Sequence, residues 1–194
     1  MNDPPPEPVP SHPGTAPGLH VGRAEVTFED LLAASERFAS TYGHARLSAE
    51  PARRMAVVTC MDCRFDPLSC FGLEPGDVHI IRNAGARVTE DVLRSLIIST
   101  VHLNVKRVAV VHHTQCASQT LSVTEMADAV LRRTGSDPAG VDFMLHRDGR
   151  HTLRGDVARV ASFPYIPAGV QVAGFVFEVE TGRVRQETDT ATVR

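Results

Sequence analysis

Apolar and polar positions change period several times along the chain, and each change marks an element. Met55-Ala56-Val57-Val58-Thr59 and Val108-Ala109-Val110-Val111 are unbroken apolar, β-branched runs. Such runs predict strands covered on both faces, as in a parallel sheet, rather than half-buried strands that alternate. Val78-His79-Ile80-Ile81 predicts a further short strand that stops at Arg82-Asn83-Ala84-Gly85-Ala86. Between the strands the period becomes helical. Thr89 is placed to cap a helix reaching about His102, with Val92, Leu93, Leu96, Ile97 and Val101 on one side. A second helix, from about Ser122 to Arg133, carries Val123, Met126, Ala127, Val130 and Leu131 on one face, and Gly135 stops it. This alternation predicts an α/β fold with a central, mostly parallel β-sheet flanked by helices and right-handed crossovers. Val170 to Val179, Thr181-Gly182 and Val184 to Gln186 predict a C-terminal edge hairpin. At the other end, Thr27 with Glu29 and Asp30 opens an N-terminal helix arm. Its apolar side is Phe28, Leu31, Leu32, Ala34, Ser35 and Phe38, its stop is Gly43, and it is expected to pack on the sheet or on another subunit. No internal repeat interrupts the pattern.

Composition narrows the class. A chain of 194 residues with 42% hydrophobic content builds one core. Pro4, Pro5, Pro6, Pro8, Pro10, Pro13 and Pro17 make residues 1–22 a disordered, Pro-rich arm, leaving 23–194 as a single α/β domain. A net charge of -3 gives no basic footprint for nucleic acid. No run of about 18 apolar residues is present and the N-terminus lacks a secretory apolar segment, so no membrane association and a cytoplasmic location are expected. Four cysteines in a chain of this length do not suggest a disulfide scaffold, and in a reducing compartment clustered cysteine and histidine more often mean metal or redox chemistry.

The chemistry sits directly behind the two apolar runs. Cys60-Met61-Asp62-Cys63-Arg64 follows the first and His113-Thr114-Gln115-Cys116 follows the second. If the runs are parallel neighbours, both segments emerge at the carboxyl edge of the sheet, where ligand sites of open α/β sheets lie. Cys60, His113 and Cys116 then supply three soft ligands for a tetrahedral zinc ion with one position open. A single cysteine or histidine beside a strand is ordinarily a packed or satisfied side chain; the coincidence at two strand ends favours a metal. His112 competes for the ligand role, but on a continued strand it faces the other way. Asp62 and Arg64 share a side of an extended segment. They form either an ordinary surface pair or a carboxylate held ionised to accept a hydrogen bond from metal-bound water. Cys63 adds two readings. Cys60-x-x-Cys63 matches a thiol redox pair, although Pro67 follows where a helix should begin. Cys60, Cys63, His113 and Cys116 also match a closed Cys₃His zinc site.

Cys60-Met61-Asp62-x-Arg64, Arg82-Asn83-Ala84-Gly85 and His113-Thr114-x-Cys116, in this order, resemble the signature of the β-class carbonic anhydrases, above all the small bacterial and mycobacterial members. The resemblance covers roughly residues 26–187, including Val88 to Leu96 and Gly174 to Phe177. It implies a zinc lyase in which Cys60, His113 and Cys116 hold the ion. Asp62 is then either a fourth ligand in a closed state or paired with Arg64 in an open one. Zinc-bound hydroxide would hydrate carbon dioxide to bicarbonate, with the Asp62–Arg64 dyad orienting the water. The resemblance also implies a homodimer or dimer of dimers in which the N-terminal helix embraces the partner. Phe65, Val88 and Leu121 are candidate apolar pocket residues, with Arg82, Asn83 and Gly85 shaping a loop behind the site. The chain departs from the family at Gln115-Cys116-Ala117, usually Asp-Cys-Gly, at Cys63, usually a small residue, and in an abbreviated stretch from Ser136 to Gly155. These changes keep open a related small electrophile, carbonyl sulfide or carbon disulfide, and a structural Cys₃His zinc module without catalysis.

Overall fold

In the computed structural model, which describes residues 28–194, the contacts divide the chain into a unit ending at Ala45 and a unit from Arg46 to Arg194. In the first unit, helix α1 spans Glu29–Ala39, with Glu29 and Asp30 at its positive end and Arg37 at its negative end. The expected cap Thr27 and the Pro-rich arm lie outside the described residues. None of the α1 side chains is buried, and Phe28, Leu31, Leu32 and Phe38 are all more than half exposed.

The second unit is built on one six-stranded sheet. Strands β1 (Met55–Cys60), β2 (Val78–Asn83), β3 (Arg107–His113) and β4 (Gln171–Phe177) are parallel and stand in the order β2-β1-β3-β4. Strand β5 (Val184–Gln186) closes the far edge antiparallel to β4, and β6 (Ala191–Thr192) also pairs with β4. The expected hairpin is therefore present, with a difference in place. Of the two hairpin strands β5 alone lies at an edge, because β4 is buttressed by β3 on its other side.

Side-chain alternation divides the core between the two faces of the sheet. On one face Ala56, Val58, Val108, Val110 and Val172 meet helix α2 (Glu90–Ile97) through Val92, Leu93 and Leu96, together with Leu153, Val157 and Val160. On the other, Val57, Ala109, Val111 and Phe177 meet Phe65 and Phe71 from the segment after β1. Covering both faces is what the unbroken β-branched runs of β1 and β3 require. Thr89 caps α2 by accepting from the Val92 amide, and the helix loosens into a π-type turn over Ile98–His102.

After β3 come the short helix α3 (Ala117–Thr120) and helix α4 (Val123–Thr134). Ser122 and Glu125 close a capping box at the start of α4, and Gly135 ends it in the left-handed conformation. The helix forms where its period predicts, but its apolar side is not core: Val123 is 60% and Leu131 49% exposed. Helix α5 (Gly149–Ala161), which no apolar periodicity announces, is capped by Asp148 and lays Leu153, Val157 and Val160 on β3 and β4.

Candidate metal centre

Strands β1 and β3 are hydrogen-bonded neighbours, with Val57 opposite Ala109 and Thr59 opposite Val111, so Cys60 and His113 end side by side. Gln115, in the left-handed conformation at φ 56°, turns the chain back after β3 and brings in Cys116. The Cys60 and Cys116 sulfurs stand 3.9 Å apart. One ligand atom from each of Cys60, His113 and Cys116 lies within 4.8 Å of the others, and all three residues are buried.

The donor set fits a metal on a second ground. His113 Nδ1 lies 2.9 Å from the Thr114 carbonyl oxygen, which can only accept, so in the neutral ring Nδ1 carries the proton. Nε2 is thereby left with a bare lone pair, buried and without a hydrogen-bond partner. An orphaned imidazole nitrogen beside two sulfurs costs free energy unless something accepts its electrons. The sulfurs make the same point: their contact holds Cys116 down to about 6 and, with burial, pushes Cys60 up to about 11. The pair thus releases one proton readily and keeps the second, which a cation can displace.

Around this group each backbone segment is braced. Arg64 donates Nε and Nη2 to the two oxygens of Asp62 at 2.9 and 2.7 Å, a bidentate pair that holds the carboxyl well below the usual carboxylate range. Asp62 Oδ2 is also 3.7 Å from His113 Nε2, so the carboxylate borders the cluster while remaining on Arg64. Arg64 Nη2 reaches the Gln115 carbonyl at 3.0 Å, and Gln115 Nε2 donates to Glu180 at 2.7 Å. Arg82 binds the carbonyls of Cys60 and Asp62 at 2.8 and 2.6 Å. The Gly85 amide, in a left-handed turn that glycine adopts freely, donates to Cys60 Sγ at 3.4 Å. Ser118 Oγ lies 3.0 Å from Cys116 Sγ.

Two sequence candidates fall away from the cluster. Cys63 is exposed and does not join it, so the Cys₃His arrangement is not formed. His112 points to the opposite face, where its Nε2 is 3.4 Å from Asp156. An apolar cavity of about 270 Å³ opens beside Cys60, Asp62 and Cys116, walled by Ala117, Leu121, Met126, Phe143 and Leu145. Leu121 was expected there. Phe65 instead stacks on Phe177 at 4.5 Å, and Val88 is fully buried core. Phe143, Leu145, Ser118 and Glu180 carried no local pattern that marks them as neighbours of the cluster.

Comparison with known proteins agrees with this geometry. The profile of the carbonic anhydrase family matches residues 55–137. The β-carbonic anhydrase 1 of Mycobacterium tuberculosis is 33% identical over 160 residues, covering 82% of this chain and 97% of the relative. A carbonic anhydrase structure from Streptococcus mutans superposes with a TM-score of 0.80 at 37% identity, covering 85% of this chain and 99% of that one. A carbon disulfide hydrolase of an Acidianus species is 32% identical over 159 residues, covering 69% of this chain and 77% of the relative. The chain belongs to the β-carbonic anhydrase family, enzymes of the lyase class.

Proposed function

We propose that the protein hydrates carbon dioxide to bicarbonate on a zinc ion held by Cys60, His113 and Cys116. The observation that carries this reading is the buried, unpartnered Nε2 of His113 facing two sulfurs 3.9 Å apart. When bound, zinc supplies Lewis acidity that lowers the pKa of a water molecule, to about 7 in the best-studied zinc hydratases. The remaining work falls to the side chains. Asp62, kept ionised and fixed by both arms of Arg64, accepts a hydrogen bond from the attacking water and aims its lone pair. Because Arg64 occupies both carboxylate oxygens, the pairing opposes Asp62 itself becoming a metal ligand. The apolar cavity suits a neutral, linear substrate that brings no charge to be desolvated.

The size and apolar lining of that cavity also favour a second substrate of the same chemistry, carbon disulfide or carbonyl sulfide, in line with the likeness to a carbon disulfide hydrolase. A homodimer or dimer of dimers, supported by the exposed apolar side of α1, completes the proposal, as does a cytoplasmic setting in which Cys60, Cys63, Cys70 and Cys116 stay reduced. Stopped-flow hydration with parallel zinc analysis tests the reading. His113→Ala and Cys116→Ser are expected to lose metal and turnover together, whereas full activity in a metal-depleted protein overturns it. Comparing turnover of carbon dioxide and carbon disulfide on the same zinc-loaded sample decides between the substrates.

A further inference from the structure

We infer that the Ser118 hydroxyl is a positioning donor to the Cys116 thiolate, drawing charge from that sulfur and so leaving the bound ion a stronger Lewis acid. The inference rests on the metal site proposed above and concerns how this chain tunes it.

Ser118 follows Cys116 by two residues, inside α3. Serine near a helix start ordinarily serves the backbone as a cap, but here Cys116 holds the cap position and no side chain caps the helix. The hydroxyl is therefore free for another partner. Ser118 is only 7% exposed, and among the described residues the Cys116 sulfur, at 3.0 Å, is the partner of its hydroxyl. A buried hydroxyl left unpaired is costly, so this contact satisfies it.

Neighbouring backbone holds the group in place. A Cβ added at Gly85 would stand 2.7 Å from Ser118 Oγ and 3.1 Å from its Cβ, so the loop packs directly against the hydroxyl and only glycine leaves the room. The same Gly85 donates its amide to Cys60 Sγ at 3.4 Å. Each sulfur thus has its own donor, and a side chain at position 85 would displace the hydroxyl that serves Cys116. Without a metal, either sulfur or oxygen can be the donor in the Cys116–Ser118 contact. A metal-bound cysteine is a thiolate with no hydrogen, which fixes the direction from Ser118 to sulfur and makes the bond charge-assisted. Two thiolates donate heavily to a cation, and hydrogen bonds to them counter that donation.

The test compares the wild-type holoprotein with Ser118→Ala and Ser118→Thr, each also prepared with cobalt(II) in place of zinc. In the alanine variant the sulfur-to-cobalt charge-transfer band is expected to move to longer wavelength, since the lone pairs of an unbonded sulfur lie higher. The threonine variant, which keeps the hydroxyl, is expected to hold the wild-type band. With zinc, the alanine variant should keep its metal yet lose roughly tenfold in turnover. An unchanged band in a folded, metal-loaded Ser118→Ala protein overturns the inference, as does a threonine variant that shifts as far as alanine. A wild-type protein that gives no thiolate-to-cobalt band overturns the metal site itself, a separate failure.

Discussion

Two aspartate–arginine pairs of the same chemistry occupy opposite situations in this protein. Asp62 and Arg64 are two residues apart at the rim of the cluster, with side chains 16% and 41% exposed. Arg87 and Asp156 come from segments 69 residues apart and are 17% and 3% exposed. Both pairs are short, at 2.7 and 2.8 Å. What differs is what else depends on them. The buried carboxylate also accepts the Val88 amide at 3.1 Å and faces His112, while Arg87 reaches the Met144 carbonyl and Asn83 brackets the Arg87 backbone. That pair therefore clamps the Asn83–Val88 loop, and with it the Gly85 amide, onto α5. The rim pair carries one further backbone anchor, the Gln115 carbonyl on Arg64, and its carboxylate borders His113 at the exposed side of the cluster. Distance alone does not reveal whether an ion pair serves stability or chemistry; the company it keeps does.

This contrast can be broken most forcefully at Asp156. Asp156→Ala leaves a buried guanidinium uncompensated and should cost about 3–5 kcal/mol in urea denaturation. The matching Asp62→Ala change should cost no more than about 1 kcal/mol; equal losses would erase the distinction. Next in size is turnover. Asp62→Asn is expected to keep its zinc while losing roughly 10²-fold in hydration rate, about 2.7 kcal/mol of barrier, and wild-type rates would remove Asp62 from the reaction. Gly85→Ala sharpens the link between clamp and cluster. Forced into a left-handed turn against Ser118, it should lower stability by about 1–3 kcal/mol in thermal unfolding.

The smallest effect lies in acid. Burial opposes charge on Asp156, but His112 and Arg87 outweigh it and lower its pKa in the folded state. A lowered native pKa adds stability that is complete above about pH 4 and is lost as pH falls through the native value. The stability gap between wild type and Asp156→Asn should therefore narrow as denaturation curves are taken from about pH 5 to about pH 2. A gap that stays constant would locate the contribution of Asp156 in packing rather than charge.

The rim pair and the three cluster residues were legible in the chain because each lies beside a strand whose apolar run announces it. Cys60 and His113 need only the parallel neighbourhood of β1 and β3 to meet. The clamp was not legible. Asp156 sits in α5 among Leu153, Val157 and Val160, where a charged residue breaks the apolar stripe that would have betrayed the helix. Its partner Arg87 lies in an irregular loop and reads as solvated. The walls at Phe143 and Leu145 escaped for a similar reason, since nothing periodic places the segment before α5. For α4 the error ran the other way. An apolar side, as at Val123 and Leu131, tells that a helix has a face but not that anything covers it.

The side-by-side placement of β1 and β3 also fixes when in folding the cluster can appear. Cys60 and Cys116 are 56 positions apart, and closing a loop of that length costs on the order of 3–4 kcal/mol of chain entropy before any ligand geometry exists. Strand pairing must meet that cost first, so a cation held by Cys60, His113 and Cys116 would arrive at a framework already assembled and act as a late latch rather than a nucleus. During synthesis, an emerging chain that has exposed only Cys60 would offer one of the three candidate ligands.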